Sequence, residues 1–508
     1  MADAGAQPQE VELKLAVASP SARAAAEHET GSARPRLLET IYYDTPQRHL
    51  QRAGYSLRLR RDGDRWSQSL KALDGFTRFE SEQSLRAGAP DLSLLEGTPA
   101  NAIVGLGAPP APVFVTRVAR RSRRRDVPGA NIEFSLDEGE IIVRDRTWPI
   151  SELELELKAG DPQALFSEGR RLASHVALSP TFLSKAERGF ALADGVLGEP
   201  ARFGERPLAP DTAALDAFKI LSRRCARQLS VNAELVRETP RLECLHQART
   251  ALRRLRVAMS LFKAMLDHAR LEAIKAEARW LTGELAEARN LDVLIAETYV
   301  PLADDRADRA DRAGTAQFGH ALLAAQAAAH ERARLAVGSA RFRMLLIDCA
   351  AWIESEPTPG LDRGDDAQAI AGFAAAALEK RRHALTARLE SLDWKDSRAR
   401  HGARIAAKKM RYAAEFFVDL GPAGRSGAYG PFITALESLQ DRLGRLNDLA
   451  VAEALIPTLI ADAGAPQQAA YAAGLMLGGE LARNRKRLRK ARAAANDFVE
   501  APRWWRAP

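Results

Sequence analysis

Glu10, Glu12 and Lys14 alternate with Val11, Leu13 and Leu15. In an extended strand, residues i, i+2 and i+4 share a face at about 6.5–7 Å spacing. Two carboxylates and one ammonium would then point the same way, a trio suited to a divalent cation beside an anionic oxygen. Arg58 and Arg60 share a face by the same parity, and Lys71 stands on the polar side of the next alternating run. Residues 120–125 (RRSRRR) place five arginines in six positions, and Glu152, Glu154 and Glu156 form an all-carboxylate face. Spacing alone leaves two arrangements open. Either an open sheet turns a charged side to water, or the strands close and both signs meet inside. The closed interior would be costly to desolvate unless metal and polyanion filled it.

The elements that must carry these groups fall into two halves. Runs 10–15, 55–60, 66–71, 132–136, 141–143 and 151–158 alternate with period two and are divided by turn signals such as Asp62-Gly63 and 137–139. That pattern predicts antiparallel strands. Residues 198–210 (GEPARFGERPLAP) read as a linker. From Asp211 the apolar period becomes 3.6, which predicts helices over 212–238, 241–267, 270–299, 313–353 (whole or broken), 366–391, 396–419, 428–461 and 466–496. Breaks are expected at Pro240, 304–312, 357–366 and 421–430.

The helical half repeats itself. His246, Arg249, Arg253 and Arg256 make one stripe, and His401, Arg404, Lys408 and Arg411 make a second, each residue 155 positions beyond its counterpart. Phe262 and Phe417 keep the same offset, and 288–292 (ARNLD) loosely echoes 445–448 (RLND). Aligned like charges repel by a few tenths of a kcal/mol per pair unless an anion or solvent screens them. A solvated basic face would also account for the stripes. Further on, 483–492 holds seven basic residues in ten positions.

Composition bounds the possibilities. The 508 residues carry 74 Lys+Arg against 66 Asp+Glu, a net charge of +8, and 61 of the basic residues are Arg. Guanidinium suits bidentate phosphate contacts, although the codon bias of a GC-rich genome gives the same excess. Cys225, Cys244 and Cys349 are scattered, which excludes a disulfide scaffold or zinc finger. No run approaches the roughly 20 apolar residues of a spanning helix, and the first seventeen residues lack a secretory pattern. The expectation is a cytoplasmic, multidomain protein.

Glu10-x-Glu12-x-Lys14, 42–45 (YYDT), 54–60 (GYSLRLR), 68–71 (QSLK), Arg78-x-Glu80-x-Glu82, Ile132-Glu133, 136–141 (LDEGEI), 151–158 (SELELELK) and 183–190 (LSKAERGF) occur in that order. Together they resemble the CYTH family of triphosphate tunnel metalloenzymes over residues 8–195. The resemblance implies a multidomain α+β protein whose first domain is an eight-stranded antiparallel β tunnel hydrolysing a phosphoanhydride with Mg2+ or Mn2+. It implies Glu10 and Glu12 as metal ligands and Lys14, Arg58, Arg60, Lys71, Arg121 and Lys185 as phosphate contacts. Glu154 or Glu156 would hold a second metal or orient the attacking water, with Lys185 beside them at the reacting phosphate. The family often shows an Arg-Thr-x-Trp-like pattern where this chain has Arg121-Ser122-Arg123-Arg124. Which arginine of 120–125 faces the interior is therefore open.

Residues 245–256 (LHQARTALRRLR) and 404–412 (RIAAKKMRY) look like the CHAD domain, over 211–498 after a linker at 196–210. That resemblance implies a pair of four-helix bundles (about 211–355 and 366–498) binding inorganic polyphosphate through His246, Arg249, Arg253, Arg256, His401, Arg404, Lys408 and Arg411. The implied reaction is tripolyphosphate plus water giving pyrophosphate and phosphate. Alternatives are hydrolysis or cyclisation of an organic triphosphate (thiamine triphosphate or ATP), and an inactive tunnel that tethers the chain to polyphosphate granules. A membrane is not expected as a partner, and nucleic acid is disfavoured because no base-reading module is present.

Overall fold

The computed structural model describes residues 9–32, 34–73, 77–86, 88–98, 100–105, 108–204, 207–239, 241–305, 312–354, 369–421, 427–462 and 466–506. The expected breaks at Pro240 and 357–366, with 306–311 of that at 304–312 and 422–426 of that at 421–430, lie outside the described residues. The chain divides into two compact units. The first is Met1–Arg206 with Ser222–Thr239 and Val337–Pro357, and the second is Pro207–Leu221, Pro240–Ala336 and Thr358–Pro508.

The first unit is built on strands β1 (Gln9–Val17), β2 (Arg36–Asp44), β3 (Tyr55–Asp62), β4 (Arg65–Ala72), β5 (Thr77–Leu85), β6 (Ala111–Val127), β7 (Ala130–Val143), β8 (Arg146–Gly160) and β9 (Leu178–Pro180). They pair antiparallel in the order β5-β4-β3-β2-β6-β7-β8-β1-β9. β1 also pairs with β5, through Gln9–Phe79, Glu10–Arg78 and Val11–Thr77. Because β5 stands at the far end of that order, this contact closes β1 to β8 into a ring, with β9 a short addition beside β1.

Closure explains a burial pattern that an open sheet does not produce. Leu13, Leu15, Phe134, Leu136, Leu153 and Leu155 are buried on the outer face under helices α1 (Pro20–Thr30) and α4 (Pro162–His175). Their alternates Glu12, Lys14, Ser135, Asp137, Glu152 and Glu154 are buried too, and these point inward. Each buried leucine contributes roughly 1.5–3 kcal/mol, so the outer layer supplies the stability against which the charged interior is held. On the β2–β4 side the outer face packs Leu57, Leu59 and Leu70 with Leu50 and Ala100 of the short helices α2 (His49–Ala53) and α3 (Ala100–Val104).

One expectation is corrected. Residues 137–139 do not turn; β7 runs straight through them. Asp137 opposes Arg120 of β6 and Glu152 of β8, and its charge is matched inside the ring. Gly139 serves close approach, since a Cβ there would meet the Arg117 carbonyl oxygen at 1.9 Å.

Helix α5 (Lys185–Ala193) starts with a capping box, Ser184 with Glu187. Its Ala186, Phe190 and Leu192 pack with Tyr42, Phe114, Ile141 and Ile150, an apolar cluster at one end of the ring. Tyr42 stacks on Phe114 at 4.4 Å, and Phe114 meets Phe190 edge-on at 5.2 Å. Gly189 permits this contact, because any Cβ would lie 2.1 Å from the Phe114 ring.

The helical half continues with α6 (Ala214–Glu238), α7 (Leu242–Leu261), α8 (His268–Glu284), α9 (Ala286–Leu294), α10 (Val300–Asp305), α11 (Arg312–Gly338), α12 (Ala340–Glu354), α13 (Ile370–Glu390), α14 (Ser397–Phe416), α15 (Tyr429–Ala461) and α16 (Pro466–Glu500). The long helix expected over 313–353 is broken at Ser339, and α12 adds Ile347 and Ala350 to the apolar layer around α4.

In the second unit the repeat is literal. Both ends of α7 recur 155 residues later as the ends of α14, and the 3-10 turn Lys263–Met265 recurs as Val418–Leu420. Phe218, Phe262, Phe373 and Phe417 are two pairs at the same offset. Phe262 stacks on Phe373 at 4.6 Å and lies 5.5 Å from Phe218 and 6.4 Å from Phe417. The starts of the two repeats are joined by an antiparallel bridge between Ala213 and Ala369.

Candidate functional site

Inside the ring, α5 delivers two cations. Lys185 Nζ contacts Asp137 at 2.6 Å and Glu154 at 2.8 Å and also pairs with Glu152; Arg188 pairs with Glu152 as well. From β6, Arg120 Nε donates to Asp137 at 2.6 Å, and its Nη2 pairs with Glu154. Asp137, Glu152 and Glu154 each offer one oxygen within 4.8 Å of the others. With Lys185 contacting all three, they form a balanced ion network. Burial alone would raise the Glu154 carboxyl, but Lys185, Arg120 and Lys14 hold it well below the ordinary carboxylate range. Burial likewise opposes the charge of Arg120, and Glu154 and Asp137 more than restore it.

Beside this network the cations outweigh their partners. Arg60 is pushed down to about 10 by neighbouring Arg58, then by burial and Arg120. Its buried Nε finds no hydrogen-bond partner among the described residues. Lys71 Nζ reaches Glu10 at 2.8 Å, and Lys14 pairs with Glu12. Of the sequence-derived phosphate contacts, Lys14, Arg58, Arg60, Lys71 and Lys185 therefore share the interior. Arg121 does not. It opposes Leu136 of the outer layer and faces Glu27 of α1 at 3.6 Å. Arg120 takes the inward place that Arg121 was expected to fill.

A second group of carboxylates centres on Glu156. Glu156 opposes Glu12 across β1–β8 and Glu133 across β7–β8, with Lys158 paired to both Glu133 and Glu156. Its carboxyl is raised by burial and further by Glu10 and Glu12, against the pull of Lys158. Glu10 and Glu12 crowd Glu156, although each has a lysine partner of its own. Among the described residues, the three carboxylates whose oxygens converge closely enough to hold a metal are Asp137, Glu152 and Glu154, and of the four expected ligands Glu10, Glu12, Glu154 and Glu156 only Glu154 is one of them. Glu154 belongs to the ion network. The sequence named Glu152 only as part of an acidic face and left Asp137, Arg120 and Arg188 without roles.

The second unit holds another charged site. Helices α7 and α14 lie side by side, with Arg253 Nε donating to the Tyr412 hydroxyl at 3.1 Å and Arg254 Nη2 to Glu415 at 2.7 Å. A cleft of about 1280 Å³ is lined by His246, Arg249, Arg253, His401, Arg404, Lys408 and Arg411, joined by Arg289, Arg398, Arg445 and Arg487. Nine Arg or Lys side chains face four carboxylates, Glu297, Asp441, Asp448 and Glu480. The excess is felt. Burial, then Arg253, Arg404 and Arg411, pushes Lys408 down to about 6; burial, then Arg289 and Arg253, pushes His246 down to about 4. Burial with Arg253 and Arg289 lowers Arg249 to about 10. Buried Nε atoms of Arg249, Arg404 and Arg411 lack hydrogen-bond partners among the described residues.

Arg256 is the exception among the eight stripe residues. Ten positions beyond His246, it lies about 15 Å farther along the helix axis, is exposed, and does not line the cleft. Arg289 and Arg445 were signalled by the echo between 288–292 and 445–448. That echo also supplies Asn447, whose side-chain oxygen lies 2.6 Å from His401 Nδ1.

Fold and sites together define a two-part class: an antiparallel ring of strands with an ionic interior, followed by a helical repeat around a cationic cleft. Residues 8–190 match the CYTH domain and residues 221–457 the CHAD domain, and the chain belongs to the proteins that join these two. It is 31% identical over 203 residues to an inorganic triphosphatase of Haemophilus influenzae, covering 36% of this chain and 55% of that one. The chain thus spans about half the length of that curated relative. Among solved structures, the CHAD domain from the plant Ricinus communis is 30% identical, with 60% of this chain and 98% of that chain covered at a TM-score of 0.49. PptA from Streptomyces chartreusis is 20% identical, with 57% and 99% covered at a TM-score of 0.44. No described helix is long and apolar enough to cross a membrane.

Proposed function

We propose that the strand ring hydrolyses inorganic triphosphate to pyrophosphate and phosphate with a divalent metal, and that the helical cleft binds inorganic polyphosphate. The observation that carries the first part is the enclosed meeting of Lys14, Arg58, Arg60, Lys71, Arg120 and Lys185, with the buried Arg60 Nε lacking a hydrogen-bond partner among the described residues. Phosphoryl transfer asks mainly for positioning and charge neutralisation. These side chains can grip the non-bridging oxygens of a linear triphosphate along its length. The match to an inorganic triphosphatase supports that substrate.

Held by Glu10 and Glu12, Mg2+ or Mn2+ would neutralise phosphate oxygens and acidify a water. In the hydrolysis the water oxygen forms a bond to the terminal phosphorus while the bond to the bridging oxygen breaks, and pyrophosphate leaves with the electron pair. Glu156 is the carboxylate suited to take the water's proton, because its raised affinity makes it a usable base. Glu154 is too strongly held by Lys185 and Arg120 for that task and instead fixes those cations where the phosphates lie.

Phosphate release from tripolyphosphate, thiamine triphosphate and ATP, each with and without Mg2+ or Mn2+, tests this assignment. Metal-dependent release from tripolyphosphate above the organic substrates is expected. Replacing Glu10→Gln and Glu12→Gln together should abolish turnover, and full activity in that variant would reject the metal assignment. No release under any condition would leave the ring a binding module.

A further inference from the structure

Beside the cleft lies a smaller groove of about 280 Å³ between α15 and α16, lined among the described residues by Arg442, Arg445, Arg483, Lys486, Arg487 and Lys490. Its residues follow helical spacing. Arg442 and Arg445 are i, i+3 on α15, and Arg483, Lys486, Arg487 and Lys490 are i, i+3, i+4, i+7 on α16. Glu480 pairs with Arg483 at 3.0 Å and also with Arg487. No carboxylate among the described residues pairs with Arg442, Arg445, Lys486 or Lys490.

Arg445 and Arg487 line both the groove and the cleft. An anionic chain leaving the cleft past these two side chains would therefore meet four more cations without a gap in the charge. We propose that the α15–α16 groove is an outer subsite for inorganic polyphosphate that engages only chains long enough to extend beyond the cleft. The inference rests on polyphosphate binding in the cleft and adds chain-length selection to it. Nucleic acid is the weaker occupant. No aromatic side chain among the described residues lines the groove to stack a base, whereas stacking supplies much of single-strand binding. A surface of point charges alone matches a ligand that is phosphate throughout.

The full-length protein is titrated with tripolyphosphate, short oligophosphates and long-chain polyphosphate, and compared with the triple variant Arg442→Gln, Lys486→Gln, Lys490→Gln, none of whose residues lines the cleft. The Kd for long chains should rise at least tenfold. With about 0.7 counterions released per lost contact, the slope of log affinity against log salt should flatten by about two. Short-chain Kd should change less than twofold, which also shows that the variant is folded. Unchanged long-chain affinity and slope overturn the outer subsite while leaving cleft binding intact, and so does equal weakening for both lengths. If the wild-type protein binds no polyphosphate, both readings fall. If a single-stranded oligonucleotide competes as well as polyphosphate at matched charge and salt, the groove is a nucleic-acid surface instead.

Discussion

Glu154 and Glu156 stand two residues apart on one face of β8, yet their surroundings drive them in opposite directions. Lys185 and Arg120 fix the first as a permanent anion, whereas burial with Glu10 and Glu12 raises the second. A base that must be ionised gives a rate that climbs with pH until its pKa is passed. The acidic limb of kcat/KM should therefore lie above the ordinary glutamate value near 4.3. Glu156→Gln should remove that limb and lower kcat by about 10²–10⁴-fold. A variant that loses rate but keeps the limb would show that another group titrates. Sequence parity identifies this pair because Leu153, Leu155 and Leu157 alternate with the glutamates of β8. It fails on β6, where arginines at 120, 121, 123, 124 and 125 populate both faces. There only the pairing of Arg120 with Asp137 decides which one turns inward, and pairing partners are not written in a local pattern. Asp137 escaped for a related reason. An Asp beside Glu and Gly has the composition of a turn, and tertiary ion pairing overrides it.

At the scale of elements, the duplicated helices were legible because their stripes and phenylalanines keep one offset through turns and caps alike. Which stripe members share a cleft was not, since spacing gives direction around an axis but not where a neighbouring helix ends. Arg256 points much as Arg249 does and still lies past the cleft. The packing of α7 against α14 crowds like charges and so stores a response to pH. Lys408 has a native pKa of about 6 against about 10.4 for an ordinary lysine. Between those values the unfolded chain binds the extra proton, so this residue makes stability rise with pH across the window. A polyanion reverses the bias by favouring the charged form. Near pH 7, polyphosphate binding should be accompanied by proton uptake, and affinity should decline as pH rises. Calorimetry in buffers of different ionisation enthalpy measures the uptake. Lys408→Met should reduce it, and uptake unchanged in that variant would remove Lys408 from the response.

On the scale of the whole chain, two cationic sites differ in how much water they admit. The strand ring encloses its cations among buried carboxylates, while the helical cleft gathers nine cationic side chains against four carboxylates. Screening by salt acts strongly on accessible charge and weakly on enclosed pairs, so the two sites should separate under ionic strength. If about five phosphates are neutralised in the cleft at about 0.7 released counterions each, a fourfold rise in salt costs about 100-fold in polyphosphate affinity. The KM for tripolyphosphate, measured at fixed free metal on the same preparation, should move by less than about tenfold over that range, because the ligand is held by enclosed groups. Substitutions in one site should leave the other's salt dependence untouched. Glu10→Gln with Glu12→Gln should silence phosphate release yet preserve the steep polyphosphate slope, and Arg404→Gln with Lys408→Gln should do the reverse. Parallel slopes for KM and for polyphosphate affinity would mean that both ligands meet the same solvent-exposed charge, and the division of labour between ring and cleft would fail.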